Sequence, residues 1–349
     1  MPVAVATTTS RPRVLLLGES SGDDKADKSI RAIADTYTVP RGNLEEVAGY
    51  IASAVKEHGP FIAFGATWAL GEKFPARFDE SLLSPLFPGC KLLVTPGAGY
   101  EKTDVNYLTL NGCVYANSPF AVGQRTADGA LLLTLAAMRG LTPQDNSMRI
   151  GNFADPSVRT LSHRSANIAI IGMGNIGLQL AQSLTAIGAP TQNIRYYNRR
   201  ERVGCGYEWA SSLDEIWKWA QVIVLTCPLT EHTRHLISRD ALEKMRDSVI
   251  IVNVGRGPCI DEQALVDALD SGKVMRAALD VFENEPQAHP KLLTNPNVTL
   301  SPHYAANPDG MAPGMNAEVL ENIIQFIQTG KPQTPVNLAE VAAAATPSA

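Results

Sequence analysis

An arginine, a glutamate and a histidine each follow a short apolar run in the second half of the chain. They are Arg256 in Asn253-Val254-Gly255-Arg256-Gly257, Glu285 in Phe282-Glu283-Asn284-Glu285-Pro286, and His303 in Ser301-Pro302-His303-Tyr304-Ala305. Singly, each has an ordinary explanation: a surface charge in a glycine turn, a solvated loop carboxylate, a satisfied loop histidine. As a set they meet the needs of reducing a 2-keto acid. The substrate's carboxylate and carbonyl need a cation, and arginine offers a fixed fork of donors. The oxygen that becomes a hydroxyl needs a proton donor, for which histidine is suited near neutral pH. A carboxylate beside the histidine favours its charged form.

Such a reduction also needs a hydride carrier, and the segment Asn167–Gly177 offers a place for one. Asn167–Ile171 reads as an apolar strand, and Gly172-Met173-Gly174-Asn175-Ile176-Gly177 reads as the turn that opens a helix. In that pattern Gly172 permits the tight turn, Gly174 admits a pyrophosphate to the backbone, and Gly177 lets helix and strand pack closely. The first turn of the helix presents unpaired N–H groups to a phosphate. Alone, the pattern is a weak sign, because glycine-rich turns are common. The next strand ends in Tyr196-Tyr197-Asn198-Arg199-Arg200, where an NAD site usually carries Asp or Glu. Asn198 followed by two arginines favours NADP, with NAD as the alternative. A basic surface turn partly neutralised by Glu201 is the plainer explanation.

The elements that must position these residues are legible as apolar runs. Arg13–Gly18, Phe61–Gly65, Lys91–Thr95 and Cys113–Ala116 read as strands, with a helix at Leu44–Lys56. They predict a small parallel α/β unit. Ala121–Arg139 reads as a long helix, and Gly140–Arg164 as an irregular surface connection. After the glycine turn come strands at Asn193–Asn198, Val222–Thr226, Ser248–Val254, Ala277–Val281 and Val298–Ser301. Helices are expected at Ser212–Trp219, Ser238–Met245, Asp261–Ser271 and Met315–Gln328. Alternation of this kind predicts an α/β fold with a doubly wound parallel sheet. The expected layout is two Rossmann-like domains. Residues 119–305 bind the dinucleotide and are inserted into a flavodoxin-like substrate domain of residues 1–118 plus 306–349.

Composition limits the partners. The 349 residues are 45% hydrophobic and 19% charged, with a formal net charge of −5, so nothing suggests nucleic acid or an anionic membrane. Cys90, Cys113, Cys205, Cys227 and Cys259 are scattered, without a C-x-x-C pair, which speaks against a disulfide framework or a zinc site. No His/Asp/Glu cluster has metal-ligand spacing, so no metal is expected. The N-terminal MPVAVATTTSRPR lacks the pattern of a secretory signal; it and the Ala-rich AEVAAAATPSA at the other end read as disordered tails. A cytoplasmic protein is the resulting expectation.

Five ordered stretches resemble the D-isomer-specific 2-hydroxyacid dehydrogenases: GMGNIG at 172–177, CPLTEHTRHLI at 227–237, NVGRGPCIDEQAL at 253–265, ALDVFENEP at 278–286 and SPHYA at 301–305. The resemblance runs over nearly the whole chain. It implies an NAD(P)H-dependent reductase in which Arg256 holds and polarises the substrate, His303 is the acid/base and Glu285 its partner. It further implies that Cys227, Pro228, Val254, Gly255 and Asp280 border the nicotinamide. Backbone N–H groups of Ala98, Gly99 and Tyr100 would hold the substrate carboxylate, and the loop at Trp68 would contact the substrate side chain. The layout is similar to fungal D-mandelate dehydrogenases, and the Asn-Arg-Arg turn to glyoxylate/hydroxypyruvate reductases that use NADPH. With Tyr100, Tyr304 and Trp68 as candidate walls, a bulky or aromatic 2-keto acid is the expected substrate. A homodimer is a family expectation. A dinucleotide-sensing corepressor-like protein is the alternative from another class, since that scaffold serves both.

Overall fold

A strand covered on both faces must be apolar along its length, and the apolar runs of this chain accordingly fold as buried parallel strands. The computed structural model describes residues 11–19, 24–68, 77–306 and 311–344. The chain divides into two compact units, Met1–Val122 with Pro308–Ala349, and Gly123–Asn307.

The discontinuous unit holds β1 (Arg13–Leu17), β2 (Asp35–Val39), β3 (Ala63–Ala66), β4 (Leu92–Val94) and β5 (Val114–Ala116). All pair in parallel, in the order β2-β1-β3-β4-β5, which is the flavodoxin-like order. One face, with Leu15, Leu17, Phe64, Leu93 and Tyr115, packs on Val47 and Ile51 of the helix Leu44–His58. That helix starts in a capping box: Asn43 accepts the Glu46 N–H and Glu46 accepts the Asn43 N–H. The other face, with Val14, Leu16, Ala63 and Leu92, packs on Ile30 of the helix Asp24–Ile33 and on Val319, Ile323 and Phe326 of the helix Met311–Thr329.

Two features differ from the sequence expectation. β2, Asp35-Thr-Tyr-Thr-Val39, is an edge strand with one buried residue, so it carries no apolar run and was not foreseen. The Ala-rich C-terminal stretch is not wholly a tail. Leu338–Ala344 is a helix that buries Val341, and Asn337 just before it accepts the Tyr115 N–H at 2.7 Å. Most of the expected N-terminal tail, residues 1–10, lies outside the described residues, as do 345–349.

The continuous unit holds β6 (Ile168–Ile171), β7 (Ile194–Tyr197), β8 (Glu208–Trp209), β9 (Val222–Leu225), β10 (Val249–Asn253), β11 (Val274–Leu279) and β12 (Val298–Leu300). They form one parallel sheet in the order β12-β11-β10-β9-β6-β7-β8. The order reverses between β6 and β9, and ligands bind such sheets at that switch point, beyond the carboxyl ends of the strands. The expected irregular connection 140–164 is corrected in part: Leu141–Arg149 is a helix. Its polarity hid it, and Pro143 sits in its first turn, where no intrahelical donor is required. Arg276 on β11 is 3% exposed; its guanidinium donates to the carbonyls of Ala137, in the helix Pro119–Arg139, and of Arg159, tying the end of that helix and the connection after Leu141–Arg149 to the sheet. No helix among the described residues is long and apolar enough to cross a membrane.

Candidate active site

The glycine turn is shaped by what stands against it. Gly172 has φ +107, and a Cβ there would lie 2.6 Å from the Cys227 backbone nitrogen; one on Gly177 would lie 2.3 Å from the Gly172 carbonyl oxygen. Neither position accepts a side chain. A Cβ on Gly174 would meet nothing within 4 Å, so open space lies over the N-terminus of the helix Asn175–Ala186, where Asn175 and Ile176 form its first turn. Thr226 at the end of β9 donates to the Gly172 carbonyl at 2.7 Å. A cavity of about 650 Å³ opens beside the turn, lined among others by Gly172, Asn198, Arg199, Arg200, Cys227, Pro228 and Thr230. This open cradle at a helix N-terminus fits a pyrophosphate-bearing dinucleotide.

Asn198 ends β7. Its Oδ1 accepts the Met173 N–H at 2.7 Å, and its backbone carbonyl accepts from the Trp209 indole at 3.1 Å. Arg199 and Arg200 are exposed. The sequence reading missed Arg202, whose Nη1 donates to the carbonyls of Met173 at 3.0 Å and Gly174 at 2.8 Å. Its signal was a third arginine in the same short run, two positions beyond the point where strand-end reasoning stops. Asn198 and Arg202 thus clasp the phosphate turn from one side.

At the next strand ends, Cys227 is 6% exposed. Its thiol is held protonated by a hydrogen bond with the Cys259 thiol and by burial. Gly255 approaches closely: a Cβ there would be 2.7 Å from the Cys227 carbonyl oxygen. Asn253 braces this turn, accepting the Gly255 N–H at 3.0 Å and donating to the Arg256 carbonyl at 2.9 Å. Val254 is buried and Arg256 is partly exposed. Gly257 is pressed so hard on Phe282 that a Cβ would fall 1.8 Å from the Phe282 carbonyl oxygen. The turn that carries Arg256 therefore rests directly on the loop that carries Glu285.

Glu285 and His303 meet. Glu285 Oε2 lies 2.9 Å from His303 Nδ1, while Oε1 accepts the Phe282 N–H at 3.1 Å. The side chains are 36% and 50% exposed, and no hydrogen bond engages His303 Nε2 among the described residues. Burial pushes the Glu285 carboxyl up, but the bond to and charge of His303, the Phe282 N–H and the Arg256 charge leave it below its ordinary value. His303 has φ +56, an uncommon conformation for a residue with a side chain. Asp280 holds it there. The 2% exposed Asp280 accepts from the Ser301 hydroxyl and from the N–H groups of Tyr304 at 2.7 Å and Ala305 at 3.0 Å, and its carbonyl accepts the His303 N–H at 2.7 Å. The Asp280 carboxylate is thus engaged with the histidine loop. A second cavity, about 660 Å³, borders the pair and is walled by Phe282, Pro286, Leu293 and Leu300.

In the other unit, the loop after β4 has its carbonyls fixed and its donors exposed. Asn117 donates to the Ala98 carbonyl at 2.7 Å, and the Ser118 N–H donates to that of Gly97 at 2.9 Å. The N–H groups of Ala98, Gly99 and Tyr100 find no acceptor among the described residues. Three successive donors of this kind suit an anion such as a carboxylate. Tyr100 packs edge-on to Tyr115, at 6.1 Å between ring centroids. Trp68 is held through its backbone by Asn316, which accepts its N–H at 2.7 Å and donates to its carbonyl at 2.9 Å.

Known proteins resemble this chain in sequence and fold. Residues 131–305 match the family model for the NAD binding domain of D-isomer specific 2-hydroxyacid dehydrogenases. The 4-methyl-2-oxopentanoate reductase A of Aspergillus oryzae is 32% identical, over 92% of this chain and 96% of its own. The NADPH-dependent glyoxylate/hydroxypyruvate reductase of Sinorhizobium meliloti, solved in complex with NADP and malonate, is 29% identical, with TM-score 0.76 and coverage of 95% and 98%. The D-mandelate dehydrogenase of Rhodotorula graminis is 27% identical, with TM-score 0.82 and coverage of 94% and 98%. The residues a 2-keto acid reduction requires, the dinucleotide cradle beside them and these likenesses converge: the chain belongs to the D-isomer-specific 2-hydroxyacid dehydrogenase family, a nicotinamide-dinucleotide-dependent oxidoreductase with 2-keto acid reductase activity.

Proposed function

We propose that this enzyme reduces bulky or aromatic 2-keto acids to D-2-hydroxy acids and prefers NADPH to NADH. The observation that carries the cofactor preference is the bond between Asn198 and Met173. Asn198 spends one acceptor site of Oδ1 on Met173 and carries no charge, and the exposed Arg199 and Arg200 follow it. Amide N–H groups and two guanidinium charges suit the anionic, accepting oxygens of a 2′-phosphate, and no carboxylate stands there to accept strongly from a ribose 2′-hydroxyl. The NADPH dependence of the Sinorhizobium relative supports the same reading.

Bound reduced nicotinamide supplies a hydride to the keto carbon. Arg256 pairs with the anionic substrate and polarises its carbonyl. His303 gives its proton from Nε2 to the carbonyl oxygen, because Nδ1 is committed to Glu285. Glu285 holds the ring in orientation and stabilises its charged form before transfer. In the reverse direction, Nε2 takes the hydroxyl proton.

The lean to large substrates rests on the apolar cavity beside the pair and on the names of the Aspergillus and Rhodotorula relatives. A second reading, a glyoxylate/hydroxypyruvate reductase, is favoured by the Sinorhizobium relative. Initial rates with NADPH and NADH, each against glyoxylate, hydroxypyruvate, 4-methyl-2-oxopentanoate, phenylpyruvate and benzoylformate, separate them. The highest kcat/KM with NADPH and a large 2-keto acid is expected; a preference for glyoxylate would select the second reading. Equal use of both cofactors would overturn the assignment of Asn198, Arg199 and Arg200.

A further inference from the structure

One side-chain hydrogen bond joins two loops of the continuous unit that are far apart in sequence. His235 Nε2 lies 2.6 Å from Glu283 Oε1. His235 belongs to the loop whose Pro228, Thr230, His232, Thr233 and Leu236 line the nucleotide cavity. Glu283 stands two residues before Glu285.

Everything else about Glu283 is already fixed. Its N–H donates to Glu262 Oε1 at 2.7 Å, and its Oε2 accepts the Glu262 N–H at 3.3 Å. Glu262 is 6% exposed, and its other oxygen accepts the His289 N–H at 3.2 Å. The neighbouring Phe282 N–H donates to Glu285 itself. The Glu285 loop is thus a braced body, and His235 is its link to the cavity loop. The His235 N–H and the Ile237 N–H donate to the carbonyls of Pro258 and Cys259, in the turn after Arg256. A side-chain contact this exposed adds little to stability as a rule. Yet His235 keeps φ +48, an uncommon conformation that tends to persist where geometry serves function.

We propose that His235 is a positioning residue: it transmits occupation of the nucleotide cavity to the loop 282–286, setting the Glu285 carboxylate for its work on His303. The inference rests on the cofactor and catalytic roles proposed above.

Hydrogen–deuterium exchange of the full-length protein, with and without NADPH, tests it. In the wild type, NADPH should slow exchange in peptides covering 228–236 and also in those covering 281–286. In His235→Ala, only 228–236 should be slowed. His235→Gln keeps an N–H donor for Glu283 and should restore the effect at 281–286. In steady state, His235→Ala should lower kcat about tenfold or more, since small displacements of reacting groups are costly, with keto acid KM within about twofold; His235→Gln should recover most of kcat. Slowing at 228–236 alone in the wild type would overturn the inference and leave the cofactor reading standing. So would a His235→Ala protein with wild-type kcat and intact slowing at 281–286. If NADPH slows neither segment in the wild type, the cofactor reading falls, and the inference with it.

Discussion

The side-chain carbonyl of Asn198 accepts the backbone N–H of Met173 at 2.7 Å, so the residue that ends β7 is bonded to the turn that follows β6. Asn198→Asp keeps that acceptor and adds a negative charge beside Arg199 and Arg200. The charge repels a 2′-phosphate and accepts from a ribose hydroxyl. NADPH affinity should fall about tenfold or more, at about 1.4 kcal/mol per decade, while NADH affinity rises. Fluorescence titration of both cofactors measures this; parallel loss of both would mean that Asn198 only supports the turn.

Asp280→Ala tests how His303 is held. It removes the one oxygen, Oδ1, that accepts from the Ser301 hydroxyl and from the N–H groups of Tyr304 and Ala305. Those donors are left unmatched, at about 1–3 kcal/mol for a buried group. We expect kcat to drop by about 100-fold, with NADPH affinity within about threefold of wild type. An unchanged kcat would show that the histidine loop keeps its shape without the carboxylate.

The Glu285–His303 pair has a signature in stability. The Glu285 carboxyl titrates below its ordinary value of 4.5 in the folded protein, so the unfolded chain binds more protons in the interval between the two. Its contribution is therefore complete above the unfolded value and is lost as pH falls through the folded one. Urea unfolding between pH 7 and pH 3 should show wild type ahead of Glu285→Gln at neutral pH, with the gap closing below about pH 4.5. A gap independent of pH would mean that the pair acts as a neutral hydrogen bond.

Gly257 and Gly49 make opposite predictions from the same substitution. A Cβ on Gly257 would overlap the Phe282 carbonyl, a backbone atom that cannot step aside, so Gly257→Ala should cost about 3 kcal/mol or more and depress kcat by moving Arg256. A Cβ on Gly49 meets nothing within 4 Å, and the residue lies inside the helix Leu44–His58. Gly49→Ala should stabilise by about 0.5–1 kcal/mol. Thermal unfolding of the two variants checks both signs.

Strands buried on both faces were legible because burial leaves no choice of residue: Val222–Leu225 and 249–252 are apolar throughout. β2 was not, since an edge strand of Asp, Thr and Tyr is held by backbone pairing with β1, which leaves no mark on periodicity. The helix Leu141–Arg149 hid behind its polarity, and Leu338–Ala344 behind its alanines, with one buried valine to betray it. Within the site, residue type and strand-end position drew attention to Arg256, Glu285 and His303. Arg202 escaped, because its partners are backbone carbonyls that folding alone brings near.

Arg256, Glu285 and His303, together with Asn198 and the glycine turn, all belong to the uninterrupted stretch 123–307, whereas Ala98, Gly99, Tyr100 and Trp68 belong to the other unit. In terms of inheritance, two crossovers in the gene, near codons 122 and 307, would move the proposed acid, its partner, the arginine and the proposed cofactor-reading residues as a single cassette. A lineage built this way is free to exchange the proposed carboxylate-binding loop and the Trp68 segment without reassembling that proton chemistry. Diversification of substrate and conservation of reaction would then be separate genetic events.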